Sequence, residues 1–170
     1  PGREWWSWDY ENIELRIPAY TAEEETIIAL FEKPDEAPYY GSYHLLVAHI
    51  LHPRKFEQCL QDGVSFKDRY KSTWYQWLKN GNFAVLYGAI EESGTADRAY
   101  HVIGAHAKIK HRLKKLDRLN QSMIAHAEKY GLVWTLPDRE LGKGYPIQVP
   151  RGKYGKIKPT QPLNFFSQGT

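Results

Sequence analysis

Cysteine is almost absent from this sequence: Cys59 is the only one in 170 residues. No internal disulfide can form, the cysteine-rich zinc modules are excluded, and a reducing, cytoplasmic setting is expected. No apolar run approaches the ~20 residues of a membrane span, and the first residues carry no secretory signal pattern. No membrane partner is therefore expected. Charge of one sign is also lacking, because 23 Lys+Arg face 20 Asp+Glu for a formal charge of +3. That excess is too small to establish a nucleic-acid partner by itself. What is abundant is aromatic surface: 14% of residues, with six Trp and twelve Tyr, suit nucleotides or nucleic acid. With 42% apolar and 25% charged residues, the composition is that of a folded chain, and its length fits one domain with a real core.

The local pattern is mainly helical. Trp5 to Tyr10 reads as a short aromatic strand ending at Asp9, followed by a short helix from Glu11 to Ile17 that Pro18 stops. Thr21, with Glu24 three residues later, reads as a capping box opening a helix to about Phe31. A helix from Tyr43 to about Leu51 ends at Pro53, and a short one around Phe56 to Leu60 closes at Gly63. From Phe66 to Tyr87 apolar residues recur at helical spacing. Gly81 inside that run costs about 1 kcal/mol relative to Ala, so a packing or kinking reason is expected there. Residues 91–95 read as a loop, and Ala96 to Gly104 and Ile109 to Tyr130 as helices. Leu132 to Leu136 reads as a strand entering a turn at Pro137-Asp138, and residues 142–162 as loop.

Four groups of residues could carry chemistry. Asp9 and Glu14 sit where carboxylates could meet a hard cation such as Mg²⁺, although a solvated strand end has the same pattern. Tyr75, Lys79, Phe83 and Tyr87 are spaced by four, each offset only ~40° from the last on a helix. A cation between rings could grip a phosphate while the rings stack on a base or sugar. Spacing alone favours a core stripe with Lys79 snorkelling to water. His44, at a helix start, could touch an anion. His101, His106 and His111 recur every five residues, ~140° apart around a helix, so they cannot form one chelating face. His49 and His52 could meet, but no third ligand is evident. Finally, the basic run from Lys108 to Arg118 reads equally as a phosphate-backbone contact or a solvated face.

Five segments, in order, resemble the signature segments of family A DNA polymerases, the DNA polymerase I type. Asp9-Tyr-Glu-Asn-Ile-Glu14-Leu-Arg16 resembles motif A, written Asp-Tyr-Ser-Gln-Ile-Glu-Leu-Arg. Ser42-Tyr43-His44 sits where that family has Asp-x-His. Lys79-Asn-Gly-Asn82-Phe83-Ala-Val-Leu-Tyr87-Gly88 resembles motif B, Lys-x-x-Asn-Phe-x-x-x-Tyr-Gly, of the fingers O helix. Thr135-Leu-Pro-Asp-Arg139 resembles the Thr-Leu-x-Gly-Arg turn, and Asn164-Phe-Phe-Ser-Gln168-Gly-Thr resembles Asn-x-x-x-Gln-Gly-Thr.

The resemblance implies an α+β, mainly helical fold: a palm segment at 1–20, helical fingers at 21–130 with the O helix at about 66–88, and a return to the palm at 131–170 with short antiparallel strands. It implies template-directed DNA synthesis in DNA replication, a nucleotidyl transfer from dNTP to a primer 3′-OH. Asp9, with the Tyr10 carbonyl, would hold magnesium, of which the complete enzyme uses two ions. Glu14 would be the steric gate against ribose. Lys79 would bind the triphosphate and serve as general acid, and His44 would add a phosphate contact. Phe83 would lie against the sugar, and Tyr87 near the nascent base pair. Gly88, Arg139, Asn164 and Gln168 would contact primer–template DNA. The location implied is cytoplasmic, at the nucleoid or in a phage-infected cell.

Departures from the family pattern carry expectations of their own. Tyr75 stands where the family often has an Arg on the triphosphate, so either Lys71 or Arg69 substitutes from further up the helix or phosphate binding is weaker. The long stretch from His44 to Lys79 suggests a phage-like or divergent branch. Motif C, the His-Asp-Glu turn that supplies the second metal-binding aspartate, is not among the 170 residues. With Pro1 at the start and an apolar pair near the end, the chain reads as fingers and part of the palm, dependent on the remaining palm and thumb and inactive alone. The competing reading is a non-catalytic helical nucleic-acid-binding module.

Overall fold

A computed structural model describes residues 12–35, 38–39, 41–86, 94–136, 144–152, 155–157, 162 and 166. Among them lie nine helices and one two-stranded antiparallel sheet. The helices are α1 (Ile13–Thr21), α2 (Glu25–Glu32), α3 (Tyr43–Leu51), α4 (Pro53–Gln61), α5 (Phe66–Arg69), α6 (Trp74–Leu86), α7 (Thr95–Tyr100), α8 (Ala105–Arg112) and α9 (Lys114–Tyr130). The strands are β1 (Leu132–Trp134) and β2 (Pro146–Gln148). The mainly helical expectation therefore holds. The expected strand at residues 5–10, the loop at 91–93 and the turn at Pro137-Asp138 lie outside the described residues.

Helix α3 is the centre of the fold. Its sequence is apolar nearly all round, and Tyr43, Leu45, Leu46, Val47, Ala48 and Leu51 are all buried. It packs against α4, α5, α6 and α8. Its start is set by Ser42, whose Oγ accepts from the Leu45 N–H, and its end by the chain turning at His52 so that Pro53 occupies the first turn of α4. A second, smaller cluster joins Ala127 of α9 to Val133, Val149 and Ile157 beside the sheet. The sheet pairs Leu132 with Gln148 and Trp134 with Pro146, so a short strand lies within the segment read as loop.

Several boundaries differ from the sequence expectation. Pro18 does not stop α1, which runs on to Thr21. Proline removes one helical hydrogen bond, but its ring is fully buried here, and the Ala22 N–H donates onward to the Pro18 carbonyl. Thr21 is no N-cap: its Oγ1 donates to the Ile17 carbonyl inside α1, and Glu24 holds the N-cap position of α2. The continuous helix expected from residue 66 is broken. It ends at Arg69, turns through residues 70–73 and restarts at Trp74, where the Thr73 carbonyl accepts from the Trp77 N–H. The basic helix is likewise broken at Leu113, which is 2% exposed and pins the junction of α8 and α9 into the core.

Glu24 explains how α9 starts without a side chain of its own to cap it. Its buried carboxylate accepts from the Lys115 and Leu116 N–H groups through Oε2, at 3.0 and 3.3 Å. Those amides are among the donors every helix start leaves unpaired. A distant acidic residue thus ties α2 to α9 at the end where negative charge is favoured.

Gly81 has a packing reason. A Cβ at that position would overlap the ring of Tyr100, which is 1% exposed. The missing side chain lets α6 and α7 approach through the flat face of an aromatic ring.

Candidate functional site

Helix α6 turns Leu78 and Asn82 to the core and leaves Tyr75, Lys79 and Phe83 on an adjoining flank. Tyr75 and Lys79 are half-buried, and Phe83 is 50% exposed. Of the stripe that spacing alone favoured as core, Tyr75 packs against the core, Lys79 is half-buried and Phe83 opens to solvent, while Tyr87 lies outside the described residues. The fully buried positions are taken up by the stripe's neighbours one residue further round, which a four-residue repeat cannot distinguish.

Across from this flank stands His44, the second residue of α3. Asn82 Nδ2 lies 2.5 Å from His44 Nδ1, and the Tyr100 hydroxyl donates to Asn82 Oδ1 at 2.7 Å. An amide nitrogen can only donate, so His44 Nδ1 accepts and the imidazole proton sits on Nε2. Tyr100, Asn82 and His44 form a relay that orients the ring. The edge of His44 also meets the Tyr75 ring, with centroids 5.8 Å apart. Burial, and then the positive charge of Lys79, lower the pKa of His44 to about 4. His44 is thus a neutral donor near pH 7, with the Lys79 ammonium close enough to be felt.

His44 and Tyr75 line a cleft of about 410 Å³ together with Ser42, Asn12 and Lys67. The Tyr75 hydroxyl hydrogen-bonds Ser42, and burial raises its pKa. Asn12 belongs to the motif A-like segment and precedes α1 in a left-handed conformation at φ 56°. Glu14 is half-buried in the first turn of α1.

The structure therefore brings Asn12 and His44 to one cleft, sets Lys79 close enough to His44 to lower its pKa, and leaves Phe83 on the Lys79 flank. Asp9, Tyr10, Tyr87, Gly88, Arg139, Asn164 and Gln168 lie outside the described residues. Neither substitute expected for the missing Arg is one turn further up the same helix, because the chain breaks at residues 70–73. Arg69 is held by Asp62 at 2.7 Å. Asn82 and Tyr100 had no role in the sequence reading, although Asn82 stands inside the motif B-like run. Lys67 had no signal in the sequence at all.

His49 and His52 are used in packing. His49 Nδ1 hydrogen-bonds Tyr39 at 2.6 Å and its ring stacks on Phe56. His52 packs on Trp74 and Phe66, and burial, then Lys55 and Lys108, lower its pKa to about 4. Among the described residues no three His, Cys, Asp or Glu side chains are grouped to hold a metal ion. The basic run is partly neutralised: Lys110 pairs with Asp117 at 3.3 Å and Lys115 with Glu25 at 2.8 Å. No helix among the described residues is long and apolar enough to cross a membrane. Compared with protein-family models, curated proteins and solved structures, the chain has no match.

Proposed function

We propose that this chain forms the fingers and the adjoining palm segment of a family A type DNA polymerase, binding the incoming dNTP and primer–template for nucleotidyl transfer. One observation supports the reading above all others. Two segments far apart in sequence and each resembling a family motif, at Asn12 and at Ser42–His44, line one cleft, and a third, at Lys79–Asn82, adjoins it through the contact of Asn82 with His44. A module that merely packed helices would have no need to gather them.

In this reading Lys79 attracts the triphosphate as a point charge, and the neutral His44 donates a hydrogen bond from Nε2. Phe83, exposed on the same flank, lies against the sugar, and Glu14 fills the space of a ribose 2′-hydroxyl. The donor set proposed for magnesium, the Asp9 carboxylate and the Tyr10 carbonyl, is of the oxygen type that this ion takes. Bound magnesium would neutralise phosphate charge as the primer oxygen displaces pyrophosphate. The second aspartate used for this in the family, from the His-Asp-Glu turn, is not among these 170 residues. Lys79 would donate a proton to the departing pyrophosphate.

Equilibrium binding of Mg–dNTP to the chain with primer–template tests this. Lys79→Ala should weaken binding about tenfold or more, the loss of one charged contact. Glu14→Ala should bring ribonucleotide affinity up towards that of the deoxynucleotide. Unchanged affinity in the first variant and unchanged sugar preference in the second would reject the polymerase reading and favour the non-catalytic module.

A further inference from the structure

We propose that Lys67, on the short helix α5, is a phosphate-binding residue of the cleft beside His44. The inference rests on the nucleotide-binding reading of that cleft and names a group that the reading does not contain.

Among the described side chains lining the cleft, Lys67 carries the only full charge; the others that can hydrogen-bond are hydroxyls, an amide and the neutral imidazole of His44. No carboxylate is among those described lining side chains. A cavity of about 410 Å³ is of ligand size, and one furnished with a cation and neutral donors suits an anion with several oxygens. Lys67 is also exposed, and no carboxylate among the described residues pairs with it, so its ammonium has no competing partner there.

The neighbouring cations fit the role less well. Arg69 is turned to Asp62, and Lys71 does not line the cleft. The break of the chain at residues 70–73 is what makes the difference. A continuous helix would carry Lys67 two turns beyond Tyr75, away from His44. With the helix interrupted there, Ser65 and Lys67 line the same cleft as Ser42 and His44. Lys67 in the cleft and Lys79, close enough to His44 to lower its pKa, would then share the charge of one polyphosphate chain.

The test uses two ligands, inorganic tripolyphosphate and Mg–dNTP, titrated into the full chain by calorimetry. Lys67→Gln should weaken both about tenfold, Lys67→Arg should retain most of the affinity, and Lys71→Gln should leave it unchanged. If Lys67→Gln binds both ligands as the parent does while Lys79→Ala loses the dNTP, the assignment of Lys67 is wrong and the polymerase reading stands. If tripolyphosphate binds through Lys67 but dNTP does not bind at all, the cleft is a polyphosphate site and the polymerase reading falls. Circular dichroism of Lys67→Gln separates lost binding from lost structure, and its exposed position predicts an unchanged spectrum.

Discussion

Asn82 on α6 and His44 on α3, 38 residues apart, share a hydrogen bond of 2.5 Å that fixes which imidazole nitrogen faces the cleft. Asn82 is 2% exposed, and the hydroxyl of Tyr100 completes its amide. Replacing Asn82 by Leu would strand the Tyr100 hydroxyl without its acceptor. Each buried polar group left unpaired costs about 1–3 kcal/mol. Urea unfolding of Asn82→Leu should show a loss of that order, and Tyr100→Phe in the same background should recover part of it. Independent, additive losses in the double variant would mean that the relay does not exist.

Lys79 and His44 give a prediction readable without any ligand. Burial is the larger reason that the His44 pKa falls to about 4, and Lys79 is the second. Lys79→Gln should therefore raise the His44 midpoint, measured by NMR titration, while leaving it below the ordinary value near 6.5. An unmoved midpoint would place the ammonium too far away to share a phosphate with the imidazole. The same depressed pKa makes stability depend on pH. Above pH 6.5 His44 is neutral folded and unfolded; between 6.5 and about 4 only the unfolded chain takes up the proton, so stability falls as pH drops through that window. His52, also lowered to about 4, adds to the same decline.

How far the sequence carried can be judged from particular residues. The ends of α3 were legible because Ser42 and Pro53 are local signals: one caps, the other cannot continue a helix. Pro18 and Thr21 misled because their roles are decided by burial and by a contact 91 residues away, where Glu24 leaves a local capping box to cap α9. The break at residues 70–73 was invisible because Tyr70 and Trp74 keep helical spacing across it. His44 and Lys79 stand out in the sequence by helix position and spacing as well as by motif resemblance. Tyr100 and Lys67 do not, since each acts only through a tertiary neighbour, and no linear pattern links residue 67 to residue 44.

Glu24 offers a test of that long-range cap. Glu24→Ala should cost about 1–2 kcal/mol in denaturant unfolding, the scale of a lost helix cap. Glu24→Gln keeps an acceptor oxygen but loses the charge that favours a helix start, and should fall between the two. Hydrogen exchange at the Lys115 and Leu116 amides should quicken in Glu24→Ala. If exchange there is unaltered, those amides do not depend on Glu24.

Gly81 gives the sharpest contrast between helix propensity and packing. At an open helical position Gly→Ala is stabilising by about 1 kcal/mol. At residue 81 the added methyl would overlap the Tyr100 ring, which cannot retreat because it is buried and bonded to Asn82. Overpacking of this kind costs about 1–3 kcal/mol, so Gly81→Ala should destabilise despite its propensity gain. Because Asn82 is the next residue, the strain should also reach His44 and weaken the nucleotide binding proposed for its cleft. In a Tyr100→Ala background the overlap is gone, and the same glycine substitution should become neutral or stabilising. A sign that stays unfavourable in that background would move the cause from the Tyr100 ring to the backbone of α6.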